Sequence, residues 1–215
     1  MVNPGQLISA QVNIDDKGIV VLMYHRFEEN KYPSTNIKIA DFIAHINLIK
    51  NKKFKFINPN SFKNNLVGKK KEKKILLTID DGFKSFYNQA WPILKKEKIP
   101  FILFVNTREV GTKGYMSWKQ IKEISKEKFV HVGNHSYSHE YLVDMTNQEI
   151  KNDISKSITD FKKNLGYNSI FFSYPFGEYS IDFKNIVKNL GFKYAFGQHS
   201  GVVDETKDFY ELPRF

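Results

Sequence analysis

Two adjacent carboxylates, Asp80 and Asp81, end the apolar run Ile75-Leu76-Leu77-Thr78-Ile79 and are followed by Gly82. Two imidazoles, His135 and His139, stand four residues apart after a second apolar stretch, and the chain has no cysteine, so any metal must be held by His, Asp or Glu. Neighbouring strand residues point to opposite sides, so Asp80 and Asp81 cannot work as a symmetric pair unless the backbone turns, which Gly82 permits. That geometry suits a division of labour: one carboxylate binds a metal and the other faces the water beside it. The plainer alternative is that one Asp merely caps the next helix. His-x-x-x-His can meet one metal from a helical turn or a curled loop, through neutral imidazoles, although the spacing also arises by chance. Position strengthens the case, since both pairs follow apolar strands.

A third segment, Ser173-Tyr174-Pro175-Phe176-Gly177-Glu178-Tyr179, reads either as an aromatic core corner or as the wall of a sugar site, with rings for stacking and backbone amides for an oxyanion. His25 ends another apolar run, Val20 to Tyr24. Of the remaining histidines, His45 lies in an amphipathic stretch, His131 should point away from the site, and His199 stands in Gln198-His199-Ser200-Gly201.

Elements able to position these residues alternate along the chain. Strands are expected at Ile19 to Tyr24, Lys74 to Ile79, Phe101 to Asn106, Phe129 to Gly133, Ser169 to Tyr174 and Lys193 to Phe196. Helices are expected at Ala40 to Lys50, Phe86 to Lys96, Trp118 to Ser125, Gln148 to Leu165 and Phe183 to Leu190. Thr146 or Asn147 caps the fourth, Gly166 and Gly191 lie just past helix ends, and Pro92 kinks the second helix or marks its first turn. The alternation predicts an α/β fold, a parallel sheet or barrel with reactive residues at the carboxyl ends of its strands.

The 215 residues fit one domain, with an ordered core from about residue 18. Hydrophobic residues make up 41% and aromatics 15%, including 19 Phe and 11 Tyr, which excludes disorder. The net charge of +10 is almost all lysine, scattered along the chain, with arginine only at positions 26, 108 and 214. Nucleic-acid binding is therefore not expected. The dense run Lys69 to Lys74 reads as a solvated loop. No stretch is long enough to span a membrane, and the residues before Gly18 lack the charged start and apolar centre of a signal peptide, so either the chain acts in the cytoplasm or the sequence is a mature or trimmed form.

Taken in order, Thr78-Ile79-Asp80-Asp81-Gly82, His135-Ser136-Tyr137-Ser138-His139 and Ser173-Tyr174-Pro175-Phe176-Gly177 resemble the three motifs of the polysaccharide deacetylases of the NodB-homology type, carbohydrate esterase family 4. The resemblance runs from about Ile19 to the end. It implies a distorted (β/α) barrel of about seven strands and hydrolytic N-deacetylation of N-acetylglucosamine units in a polysaccharide. It further implies Asp80 as catalytic base, and Asp81, His135 and His139 as ligands of a divalent metal. Zinc is the first choice, with cobalt, nickel, iron or manganese also suited. Tyr174, Pro175, Phe176, Asn134 and Trp118 are expected to face substrate, and the backbone N–H of Tyr174 is the candidate oxyanion donor.

Two departures from the family pattern matter. Ser173 stands where the third motif carries an arginine that orients the base, and the shortage of arginines leaves Arg214 as a replacement. No Leu-x-His acid stands near the C-terminus; instead His25 ends an N-terminal strand. That permuted order, with Tyr115-Met116-Ser117-Trp118, resembles the branch acting on poly-β-1,6-N-acetylglucosamine of biofilm matrices and implies His25 as the acid, with His199 as the only rival. Export to the periplasm or cell surface would follow. The alternatives are deacylation of another amide, such as a peptidoglycan sugar, a chitin oligomer or a small amide, or a carbohydrate-binding domain without catalysis.

Overall fold

β5 (Lys74–Ile79) is buried along its whole length, the burial expected of a central parallel strand. In the computed structural model, which describes residues 18–67 and 72–215, β1 (Ile19–Tyr24) lies parallel beside it, with Ile19 opposite Lys74 and Tyr24 opposite Ile79. On its other side follow β6 (Phe101–Val105), β7 (Val130–Asn134), β8 (Phe171–Ser173) and β9 (Tyr194–Phe196), all parallel. β4 (Lys55–Phe56) pairs with the first residues of β5, β10 (Val202–Val203) runs antiparallel to β1, and β2 (Arg26–Phe27) pairs with β3 (Asn36–Ile37) in a separate ribbon.

The sheet curls, and residues 209–215 lace its two ends together. Leu212 exchanges backbone hydrogen bonds with Ala195 and Gly197 beside β9, while Phe215 does so with Val21 and Met23 of β1. The fold is α/β, a distorted barrel, as the sequence predicts. Around it stand α1 (Ile39–Asn51), α3 (Trp91–Glu97), α4 (Trp118–Ser125), α5 (Asn147–Leu165) and α6 (Ile181–Asn189); α2 (Phe62–Leu66) sends Phe62 and Leu66 into the interior cluster.

Period-two alternation sorts the strand residues. Leu77, Ile79, Leu103 and Val105 face the helices, while Leu76, Ile102, Phe104 and Phe196 fill the interior. Gly133 is fixed by this packing: a Cβ there would lie 2.4 Å from Cδ1 of Phe104, inside van der Waals contact. Local signals set the helix ends. Ser117 with Gln120 and Thr146 with Glu149 form capping boxes, so Thr146 and not Asn147 is the cap of α5. Pro92 falls in the first turn of α3; before it a π-turn spans Phe86–Ala90, whose end is marked by the Trp91 N–H reaching the Phe86 carbonyl.

β8 is shorter than expected, because the Ser169 hydroxyl takes the Phe171 N–H at its start and a 3-10 turn begins after Tyr174. Lys69 to Lys71 lie outside the described residues. Lys74, at the end of that run, is not in a solvated loop: it opens β5, is buried, and its Nζ donates to the Asn65 carbonyl.

His131 shares the interior face of β7 with Gly133 and His135 but sits at the opposite end of the barrel. It is away from the site by height and not by face, bonded to Asn60 Oδ1 and Ser169 Oγ at 3.1 Å each. Burial pushes its imidazole down to about 4. The folded state thus favours neutral His131, so its contribution is complete above the unfolded pKa near 6.5 and is lost as pH falls from there towards about 4. His131→Gln should flatten the acid limb of a urea-melt pH profile in that window, by on the order of 3 kcal/mol. An unchanged limb would show that other groups cause the acid loss.

Candidate active site and metal centre

Asp80 continues the strand ladder, its N–H donating to the Tyr24 carbonyl at 2.8 Å, so its side chain follows Thr78 into the barrel. The reversal then comes one residue earlier than the glycine suggests. Asp81 itself takes a left-handed φ of 72°, followed by Gly82 at 76°. A short polar side chain tolerates that conformation best, and such strain gathers where function holds it in place. The turn sends the two carboxylates to different surroundings.

After β7 the chain forms a curled loop and not a helical turn. Ser136 and His139 take left-handed φ values of 68° and 54°. The loop is tied down by Asp153 of α5, which accepts the N–H groups of Tyr137 at 2.8 Å and Ser138 at 3.0 Å. The His139 N–H donates to Ser136 Oγ and the His135 N–H to the Val105 carbonyl, both at 3.0 Å. His135 and His139 thereby come together over Asp81.

Asp81 Oδ1 lies 3.6 Å from His135 Nε2 and 3.3 Å from His139 Nε2. Ligand atoms about 2.1 Å from a tetrahedral zinc stand about 3.4 Å apart, so the spacing fits three corners of a coordination shell. His135 Nδ1 is 2.7 Å from the Ser173 carbonyl. It must carry a proton to donate there, which leaves Nε2 bare for a metal. Burial, partly opposed by Asp80, pushes the His135 imidazole down to about 4, so the ring is neutral as a ligand must be. Asn106 Nδ2 donates to Asp81 Oδ1 at 3.3 Å, while its buried Oδ1 finds no partner among the described residues.

Beneath this centre, Asp80 is locked into a buried cluster. Arg214 Nη1 donates to Asp80 Oδ1 at 2.8 Å and to Thr78 Oγ1 at 3.2 Å, Nη2 to Ser173 Oγ at 2.8 Å, and Nε to the Gly197 carbonyl at 2.9 Å. Ser173 Oγ in turn donates to Asp80 Oδ2 at 3.2 Å. Burial pushes the Asp80 carboxyl up, but the Arg214 guanidinium, with His135 and His25, outweighs it and holds the group below the usual carboxylate range. Ser173, where the family pattern has an arginine, becomes one of the acceptors that hold Arg214.

A cavity of about 460 Å³ opens over Asp81, His135 and His139. His25 lines it, carried by the β1 strand beside β5. Phe176 lines it too, with φ 57°, half of its surface exposed and its ring 4.9 Å from that of His139. Pro175 is buried at the start of the same turn.

Three expected substrate contacts are corrected. Ser173 faces inward, so Tyr174 faces outward: its ring joins Phe172 and Phe183, its hydroxyl donates to the Tyr210 carbonyl, and its N–H is taken by the Phe196 carbonyl at 3.0 Å. It has no donor left for an oxyanion. Asn134 is fully buried and committed to Ser157 and the Ser136 N–H, so it builds the histidine loop and does not touch substrate. Trp118 places its ring edge-on to Phe161, between α4 and α5, away from the cavity.

His199 is exposed and does not line the cavity; its neighbour Gln198 does. His45 is a surface residue whose Nδ1 meets the Tyr24 hydroxyl at 3.1 Å. Sequence reading missed Asn106, Asp153 and Arg26, the last with its guanidinium 3.7 Å over the Phe83 ring at the cavity wall; Tyr115, read there only as part of a motif, also lines the cavity. Only Asn106 carried a usable signal, a polar residue closing an apolar strand as Asp80 does.

The curled α/β barrel carries, at the carboxyl ends of its strands, one carboxylate and two imidazoles grouped so that they could hold a metal ion. Residues 67–195 match the family model described as polysaccharide deacetylase, more than half of the chain, and the chain belongs to that family. It is accordingly an enzyme that hydrolyses carbon–nitrogen bonds in N-deacetylation of a polysaccharide. Over 196 residues it is 27% identical to the poly-β-1,6-N-acetyl-D-glucosamine N-deacetylase of Staphylococcus aureus (strain MSSA476), covering 83% of this chain and 67% of that one. Among solved structures it is similar to IcaB from Ammonifex degensii, at 28% identity and a TM-score of 0.85, with 92% and 91% of the two chains covered. It also resembles the Streptococcus pyogenes deacetylase PplD in complex with acetate, at 25% identity and a TM-score of 0.80, with the same coverage.

The cluster beneath the site makes a stability prediction independent of turnover. Arg214→Met leaves Asp80 buried without its counter-charge and should destabilise the fold by about 3–5 kcal/mol in denaturant unfolding. Arg214→Met combined with Asp80→Asn should recover a large part of that loss. Additive losses in the double variant would mean that the two side chains are not energetically coupled.

Proposed function

We propose that this enzyme removes N-acetyl groups from poly-β-1,6-N-acetylglucosamine, with Asp80 as general base, His25 as general acid and Asp81, His135 and His139 holding a divalent metal, zinc first among the candidates. The observation that carries the reading is the separation of two adjacent carboxylates, Asp80 into a guanidinium cluster and Asp81 towards two imidazoles. A divalent cation held there supplies Lewis acidity to the acetamide oxygen and to the attacking water.

Asp80, fixed by Arg214 at Oδ1, accepts the proton of that water at Oδ2, the oxygen 3.7 Å from His135 Nε2. The water oxygen ends in acetate, the carbon–nitrogen bond breaks, and His25 protonates the departing amine. Since the Tyr174 N–H is occupied, the oxyanion donor in this reading is the Phe176 N–H, which has no acceptor among the described residues and lies in the turn that borders the cavity. Arg214 orients the base. Residues 18–215 act as one catalytic domain. The choice of glycan is supported by the similarity to the Staphylococcus aureus enzyme and by the permuted position of His25. Export to the cell surface or periplasm belongs to the same reading, because the substrate is a matrix polymer.

Acetate release from poly-β-1,6-N-acetylglucosamine, compared with peptidoglycan and chitin oligomers, tests the substrate; release from the other glycans alone would reassign it. Chelation should abolish release, and zinc, cobalt or nickel should restore it. Full activity in a verified metal-free sample would sink the mechanism. His135→Ala or His139→Ala should lose metal and activity together, whereas Asp80→Asn should keep its metal while turnover falls by roughly two to four orders of magnitude.

The acid is tested separately. His25→Ala should keep metal and fold but lose about a hundredfold or more in turnover on the amide, and less on an ester with a good leaving group. His199→Ala should be mild on both substrates. The reverse pattern would remove His25 from the mechanism.

A further inference from the structure

We propose that the end of the barrel opposite the metal centre is a docking face for an anionic lipid bilayer, which holds the catalytic mouth pointing away from the membrane. Lysines that are scattered in sequence are sorted by the fold. From the last turn of each of the six helices to the first residue of the strand that follows, the described residues include seventeen lysines, no arginine and four acidic residues. All of these lysines but Lys74 are exposed. The five strand-to-helix connections that follow β1, β5, β6, β7 and β8, at the mouth, hold eight basic and eleven acidic residues over the corresponding span, first helical turns included. One end of the molecule is thus strongly cationic and the other slightly anionic.

Helix dipoles explain part of this, since a lysine in a last turn is favoured by the negative helix end. They do not explain the lysines beyond the helices. Lys53, Lys55, Lys73, Lys128 and Lys193 lie beyond the helix caps, in the connections themselves or at the start of the next strand. The lysines come from the ends of α1, α3, α4, α5 and α6, which surround the sheet, so they form a ring about one end of the barrel and not a stripe along a groove.

A ring of this kind matches an extended anionic plane better than a single linear polyanion. Its composition points the same way: lysine is a flexible, hydrated point charge suited to a diffuse headgroup layer, whereas recognition of individual phosphates favours the arginine fork, and all three arginines stand elsewhere. Exposed Leu48 and Val67, in the last turn of α1 and just after α2, add apolar side chains at the same end. The same sorting leaves the mouth without excess positive charge, and each deacetylation adds an ammonium to the polymer held there.

Co-sedimentation with vesicles tests the face. The protein should bind vesicles containing about a third phosphatidylglycerol and not pure phosphatidylcholine, with binding falling steeply as salt rises from about 0.05 to 0.5 M. Each lysine near such a surface is worth about a fivefold gain, so Lys52→Glu, Lys53→Glu, Lys98→Glu and Lys126→Glu combined should lower partitioning more than a hundredfold while acetate release from a soluble substrate is unchanged. Should that variant fail to fold, Lys53→Gln with Lys98→Gln should still lower binding about twentyfold. Equal binding to neutral vesicles, or binding untouched by these substitutions, overturns the proposal. Displacement from the vesicles by inorganic polyphosphate at equal phosphate concentration would also overturn it, in favour of a linear polyanion.

Discussion

A guanidinium and a carboxylate buried together inside a barrel set terms that the rest of this structure has to meet. Arg214 and Asp80 are 134 positions apart in sequence and both are shut off from water. Burying such a pair is unfavourable unless the remaining donors and acceptors are also satisfied. Thr78, Ser173 and the Gly197 carbonyl do that, and they belong to three different strand ends. The pair therefore forms only when β5, β8 and β9 are in register and residues 209–215 have closed the seam between β9 and β1. Orientation of the Asp80 carboxylate and barrel closure are one event.

Above the pair, the site is made of backbone in uncommon conformations. Asp81, Ser136, His139 and Phe176 are all non-glycine residues with positive φ, and all four border or build the cavity region. Each departure from regular strand geometry redirects one group: a carboxylate towards two imidazoles, a loop back over that carboxylate, a phenyl ring into the cavity wall. The strain is held by hydrogen bonds from outside the site, chiefly Asp153 and Asn134 beneath the histidine loop and the Ser173 carbonyl on His135. Residues outside the cavity thus fix the geometry of those that line it.

The apolar layers explain why the polar ones can be so specific. Phe62, Phe104, Phe171 and Phe196 fill the barrel below Arg214, and the Phe104 ring occupies the space that a side chain at position 133 would need. With water excluded from below, the guanidinium has no partner to turn to except Asp80 and its neighbours. The cavity at the mouth is where aromatic and polar side chains mix.

Much of this was written locally in the chain. The apolar runs located the strands, Ser117 and Thr146 set helix starts, and the paired aspartates and histidines stood out because they closed apolar strands, where an α/β fold exposes reactive groups. These signals depend on residues within a few positions of one another, so sequence alone carries them. Other features depend on contacts between distant segments and had no such signature. Arg214 was suggested only by a shortage of arginines, and its four partners exist only once the barrel closes. Tyr174 was misplaced because its orientation depends on where β8 begins, and a shift of one residue exchanges inside for outside. The turn took in Asp81 as well as Gly82, and Asn134 and Trp118 were absorbed by neighbours that the chain brings in from α5. The lysines, scattered in sequence, gathered at one end because every helix that packs on a parallel sheet must point the same way.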